Sequence, residues 1–150
     1  MLKSIVGVFF LAAFAQPLMA AEQCAITVES NDAMQYNVKE IPVSKKCKEF
    51  VITLKHVGKL PKNAMGHNMV ITKSSEMAGV GTDGMVASET NDYIKPKDAR
   101  VLGHTKLLGP GDSGVIKLNV GSLSEKESYT FFCTFPGHSA LMKGVLKVVG

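Results

Sequence analysis

At 150 residues, with 45% hydrophobic residues and 20% charged ones, the chain has the length of one ordinary domain able to bury a real core. Its formal net charge of +4 is mild, and the lysines are scattered rather than striped. The densest basic cluster, Ser44-Lys45-Lys46-Cys47-Lys48, lacks the interleaved aromatic residues of a single-strand platform, which argues against nucleic acid as a partner.

Taken in chain order, the first feature is an export signal. Lys3 supplies a positive start, Ser4 to Ala15 runs almost wholly apolar, Gln16-Pro17 breaks the run, and small residues follow at Ala20-Ala21. The run is shorter than the ~20 apolar residues a membrane span needs. Residues 1–20 are therefore expected to be a signal peptide cleaved after Ala20, with Ala21 the alternative, leaving residues 21–150 as a single domain. No second apolar run of that kind occurs, so no membrane insertion is expected.

Strand patterns follow, separated by turn residues. Residues 25–29 alternate apolar and polar; 36–43 are extended around Pro42, which suggests an edge or a bulge. Further candidates are 50–54, 68–72, 100–102, 115–120, 129–135 and 144–149. Seven or eight short strands point to an all-β fold, an antiparallel sandwich or Greek-key barrel. Ser74 to Asp92 breaks the rhythm and reads as a short helix with flanking loops, outside the sandwich. Within it, Gly79, Gly81 and Gly84 spell G-x-G-x-x-G, but no alternation of strands and helices builds the parallel unit a dinucleotide fingerprint needs.

Three cysteines in an exported chain leave one unpaired. Of the three possible pairings Cys24–Cys47 is preferred, because a loop near the C-terminus has another use for Cys133. There Cys133 closes an apolar strand, Pro136-Gly137 makes a turn, His138 follows five positions after the cysteine, and Met142 four after that. One tight loop can thus gather a thiolate, an imidazole and a thioether. A second imidazole is available in Met65-Gly66-His67-Asn68, at the start of a predicted strand. Taken singly, Cys133 reads as a buried thiol, His138 as a turn residue and Met142 as core filler. Taken together they read as a metal site. Zinc sites seldom use methionine, whereas two histidines, one cysteine and a weak axial methionine make the ligand set of an electron-transferring copper ion. Cu(I) favours soft sulfur and Cu(II) favours nitrogen in a tetragonal setting, so a scaffold that holds an intermediate arrangement lets the charge change with little movement.

The same residues carry a family resemblance. Met65 to Asn68 and the run Phe131-Phe132-Cys133-Thr134-Phe135-Pro136-Gly137-His138-Ser139-Ala140-Leu141-Met142-Lys143-Gly144 resemble the two copper loops of the azurin family of type 1 blue-copper proteins, the cupredoxins. Ser30 to Tyr36, Leu60 to Asn63, Thr82 to Met85 and His104 to Leu107 match as well, so the resemblance spans essentially the whole chain after the signal. It implies a Greek-key β-sandwich with a helical flap near residues 75–88. It also implies one copper ion held by His67, Cys133 and His138, with Met142 and the backbone oxygen of Gly66 as distant axial ligands. The family's amino-terminal disulfide maps onto Cys24 and Cys47.

Supporting roles carry over by position. Asn68 would tie the His67 loop to the Cys133 loop beside Thr134. The backbone N–H groups of Asn68 and Phe135 would donate to the Cys133 sulfur, and the Asn31 carbonyl would hold the far nitrogen of His67. An apolar rim of Leu60, Met65, Met85, Phe135, Pro136, Ala140 and Leu141 would surround His138 as a docking patch. His56 and His104 match two family histidines that are not ligands. The resemblance further implies a periplasmic electron shuttle, a monomer forming transient complexes with redox proteins such as c-type cytochromes or denitrification enzymes. One departure stands out: Met69 occupies the position where many azurins carry a buried tryptophan, and the chain has no Trp.

Two other functions compete. An enzyme would use Cys133 as nucleophile and His138 as base, but nothing in the sequence suggests an oxyanion hole, and Met142 would be idle. A copper carrier or scavenger could use the same ligands, and differs in exchanging its metal readily.

Overall fold

The computed structural model describes residues 23–150, so the expected signal peptide lies outside the described residues. The strands in chain order are β1 (Ala25–Asn31), β2 (Gln35–Tyr36), β3 (Glu40–Ser44), β4 (Glu49–His56), β5 (Val70–Lys73), β6 (Gly103–His104), β7 (Ser113–Asn119), β8 (Tyr129–Phe132) and β9 (Lys143–Val149). Helix α1 (Lys62–Met65) precedes β5 and helix α2 (Met77–Ala87) follows it. The strands form two sheets, ordered β2-β1-β4-β7 and β3-β9-β8-β5-β6.

Alternation decides which face each strand buries. Phe50, Ile52, Leu54 and His56 of β4 point inward while their neighbours are partly or fully exposed. Val28 of β1, and Ile116 and Leu118 of β7, join them from the same sheet. Ile41, Ile71, Phe131 and Leu146 meet them from the other, giving one continuous core between the sheets. β5 and β8 are buried on both faces, which is why they read as near-continuous apolar runs. Their outward residues Val70 and Phe132 lie under α2, packed with Val80 and Ile94 in a separate small cluster. The expected helix outside the sandwich is thus a lid on the back of the five-stranded sheet. Gly79, Gly81 and Gly84 all lie within α2, so the G-x-G-x-x-G run forms no phosphate loop.

Three expectations need correction. The stretch 36–43 is two strands: Tyr36 stays beside β1, and the chain then crosses to the second sheet, where β3 pairs, among the described residues, with β9 alone. Pro42, lacking an N–H, sits on that edge strand. The strand placed at 100–102 begins at Gly103, and the one placed at 129–135 ends at Phe132, where the chain turns into a loop. Two pairings, β1 with β4 and β3 with β9, are parallel. Parallel neighbours arise because the chain visits the opposite sheet between them. The disulfide Cys24–Cys47, with Cα atoms 5.7 Å apart, ties the start of β1 to the segment entering β4.

Candidate metal centre

His67 is delivered by backbone constraints. α1 ends at Gly66, where a Cβ would lie 2.5 Å from the Lys62 carbonyl oxygen and 3.0 Å from Leu107 Cγ, so only glycine lets the chain pass. His67 then makes a two-bond bridge with Leu108, donating at 3.1 Å and accepting at 2.8 Å. Cys133 follows β8 directly, and its N–H donates to the Met142 carbonyl at 3.0 Å, closing the loop at its base. Gly137 turns that loop with φ of 80°, a left-handed conformation natural to glycine. A 3-10 turn from His138 to Ala140 follows, and Met142 N–H donates to the His138 carbonyl at 2.8 Å.

These constraints bring one ligand atom each from His67, Cys133 and His138 within 4.8 Å of one another, and all three residues are buried. The Cys133 Sγ lies 3.7 Å from His138 Nδ1. Met142 is fully buried at the foot of the loop, and Gly66 is buried beside His67. Burial pushes the Cys133 thiol up to about 11, a shift opposed by backbone N–H groups of Asn68 and Phe135 that donate to the sulfur. Burial likewise lowers His67 to about 4, partly offset by its bond to Asn31, and lowers His138. The pocket therefore favours neutral imidazoles and opposes a lone thiolate, a balance that a bound cation reverses.

His67 shows the fit most directly. Its Nε2 donates to the Asn31 carbonyl at 2.9 Å, leaving Nδ1 as a lone-pair acceptor. That Nδ1 is the buried side-chain nitrogen or oxygen without a hydrogen-bond partner among the described residues. An orphaned buried acceptor costs about 1–3 kcal/mol unless something else satisfies it. Here it faces a thiol and a second imidazole, a donor set suited to copper.

Asn68 and Phe135 lie against this group. The Asn68 side chain donates to Thr134 Oγ1 at 2.7 Å and accepts the Thr134 N–H at 2.9 Å, joining the two loops. Phe135 is mostly buried, its ring 4.5 Å from that of His138. Leu60, Met85, Ala140 and Leu141 are exposed, and Met65 and Pro136 half-buried. His138 itself is only 3% exposed at the centre of its loop. His56 is buried and stacks on His67 at 4.7 Å, while His104 is exposed on β6.

Sequence reasoning missed two contributors. The buried Tyr36 hydroxyl donates to the Asn68 carbonyl at 2.6 Å, and the Asp92 carbonyl accepts from Asn68 Nδ2 at 2.7 Å. Neither lies in a metal-binding motif, and both reach the site across more than twenty residues of chain, so no local spacing marks them.

Comparison with known proteins agrees with this geometry. Residues 22–149 match the family model described as copper binding proteins, plastocyanin/azurin family. The chain is 50% identical over 148 residues to an azurin of Pseudomonas aeruginosa, covering 99% of both chains. It is 56% identical over 126 residues to azurin-2 of Alcaligenes xylosoxydans xylosoxydans, covering 84% of this chain and 98% of the relative. Among solved structures, an azurin (Az-iso2) of the obligate methylotroph Methylomonas sp. strain J superposes with a TM-score of 0.83 at 39% identity, over 86% of this chain and all of that one. The buried thiol and imidazoles, the two-sheet frame and these relationships converge: the chain belongs to the plastocyanin/azurin family of copper-binding proteins.

Proposed function

We propose that His67 Nδ1, Cys133 Sγ and His138 Nδ1 would hold a single copper ion, with the Met142 thioether and the Gly66 carbonyl oxygen as weaker ligands, and that the protein carries single electrons. The observation that carries this reading is the buried trio of ligand atoms around an otherwise unsatisfied His67 Nδ1. Bound there, copper supplies a one-electron Cu(I)/Cu(II) couple. The chain's own residues do the rest. The Asn31 carbonyl fixes the His67 tautomer and ring. The N–H groups of Asn68 and Phe135 share the negative charge of the Cys133 sulfur, which favours the reduced state and raises the potential. Complete burial of Cys133 and Met142 excludes water, so little has to reorganise when the charge changes.

Cys133 is fully buried, so its sulfur is closed to solvent, which supports reading the protein as a carrier and not an enzyme. Export by residues 1–20 would deliver it to the periplasm, an oxidising compartment in which Cys24–Cys47 persists. No helix among the described residues is long and apolar enough to cross a membrane. The exposed apolar residues around the His138 loop suit brief contact with redox proteins, such as c-type cytochromes or denitrification enzymes, by a chain that is otherwise monomeric.

A visible absorption spectrum of copper-loaded protein, followed by voltammetry, tests the reading. An intense blue band with reversible cycling and retained metal is the expected result. A colourless complex refutes the ligand assignment. Ready loss of copper on each cycle would favour a copper carrier or scavenger.

A further inference from the structure

The Asn68 carboxamide makes three hydrogen bonds, and only two of them go to the Cys133 loop. The third runs from Nδ2 to the Asp92 backbone carbonyl at 2.7 Å. That carbonyl belongs to an unusual corner. Asp92 and Tyr93 are consecutive residues with φ of 55° and 56°, a left-handed conformation disfavoured for both and especially for a bulky tyrosine. Strain of this kind persists where the surroundings over-determine it, and here they do. The Asp92 carboxylate accepts the Leu107 N–H at 2.9 Å, and the Tyr93 N–H donates to the Ser88 carbonyl at 2.9 Å. The Tyr93 carbonyl oxygen presses so closely on α2 that a Cβ at Gly84 would sit on top of it.

From the same corner the Tyr93 ring extends edge-on to Phe135, with centroids 5.4 Å apart and planes at 69°. The two residues gripped here are the ones whose backbone N–H groups donate to the Cys133 sulfur. Asp92 holds Asn68, and its neighbour Tyr93 holds Phe135. We infer that Asp92 and Tyr93 are positioning residues for the metal centre: one strained corner, braced by the helical lid, aims both N–H donors at the sulfur. This rests on Cys133 being a copper ligand. It gives the lid a function beyond covering the back of the sheet.

The test compares Asp92→Ala, Asp92→Asn and Asp92→Gly. Asparagine keeps the side-chain acceptor and tolerates the left-handed backbone; glycine keeps only the backbone freedom; alanine keeps neither. Hydrogen exchange of the Thr134 amide in copper-free protein reports the grip on Asn68. The blue band and reduction potential of copper-loaded protein report the sulfur. Asp92→Ala is expected to speed Thr134 exchange roughly tenfold, about the loss of one buried hydrogen bond. It should also shift the band and lower the potential, with Asp92→Asn close to wild type. If the alanine variant fails to fold, Asp92→Gly gives the same readouts and decides the matter. Unchanged exchange, band and potential in the alanine or glycine variant, with only a lower Tm, would show a purely structural corner and overturn the inference. Wild-type protein that binds copper without a blue band overturns the ligand assignment instead, and Thr134 exchange still judges the corner.

Discussion

Replacing the Cys133 sulfur with an oxygen, in Cys133→Ser, should abolish the blue absorption while leaving the fold intact. The buried position accepts a smaller polar atom, but a hydroxyl does not supply the soft anion on which the colour depends. A variant that stays blue would refute the assignment. Met142→Leu preserves volume at a fully buried position and keeps the backbone bonds to Cys133 and His138. Copper should stay bound with a shifted potential, and complete loss of metal would contradict a weak ligand role for Met142. Met69 is a different kind of residue: fully buried in the core between the sheets, where many azurins have tryptophan. Methionine adapts to irregular space, yet Met69→Ala should still cost about 2–5 kcal/mol in urea unfolding. Three of the proposed ligands, Cys133, His138 and Met142, were legible because chemistry and spacing coincide within one loop, which His67 joins from elsewhere. Tyr36 and Asp92 were not, because their contribution is one backbone contact each, formed only when distant segments meet.

Among the elements, strands were legible wherever one face meets the core and the other meets water, as in β4. Legibility failed where that contrast is missing or the chain changes sheet, as between Tyr36 and Glu40. α2 carries three internal glycines and no clear apolar face, so its place is set by contact: Val80 and Gly84 are its buried residues. Gly84→Ala should therefore displace the lid despite alanine's better helix propensity, because the new Cβ would strike the Tyr93 carbonyl oxygen. A loss of about 1–3 kcal/mol in thermal unfolding is expected. Charge braces the same element. Arg100 bonds Asp83 and Asp98 at 2.6 Å each, and Lys95 reaches Asp83 at 3.1 Å. The Arg100 guanidinium holds the Asp98 carboxyl down at about 2, below its ordinary 3.8. A depressed folded value means the stabilisation is full above the ordinary value and lost as pH falls from 3.8 towards 2. Asp98→Asn should thus cost on the order of 1 kcal/mol near neutral pH, after solvent screening. The gap from wild type should close as acid unfolding is followed through that window, and a gap that stayed constant would exclude the ionic brace.

At the scale of the molecule, the metal centre and the disulfide occupy opposite ends of β1. Cys24 precedes the strand, and Asn31, which orients His67, ends it, roughly 20 Å away at strand rise. Segments from both sheets meet at the metal end, so the ligands sit on a frame that resists movement, as a one-electron carrier requires. Of the residues proposed to surround the barely exposed His138, Leu60, Met85, Ala140 and Leu141 are open to solvent. With a net charge of only +4, long-range steering is weak, so contact through this apolar surface should set the encounter. The proposed docking role then predicts that Leu141→Glu slows electron exchange by roughly tenfold or more, since a charge must be desolvated against the partner. Leu141 is 58% exposed and its backbone N–H donates to the His138 carbonyl, a bond the substitution keeps, so the absorption band and Tm should remain those of wild type. Stopped-flow mixing of reduced protein with an oxidised small c-type cytochrome measures the rate, with Val86→Glu as a control on an apolar residue of the lid that is 83% exposed and outside the proposed rim. Slowing confined to Leu141→Glu would locate the exit for the electron at the His138 loop; equal rates in both variants would place it elsewhere on the surface.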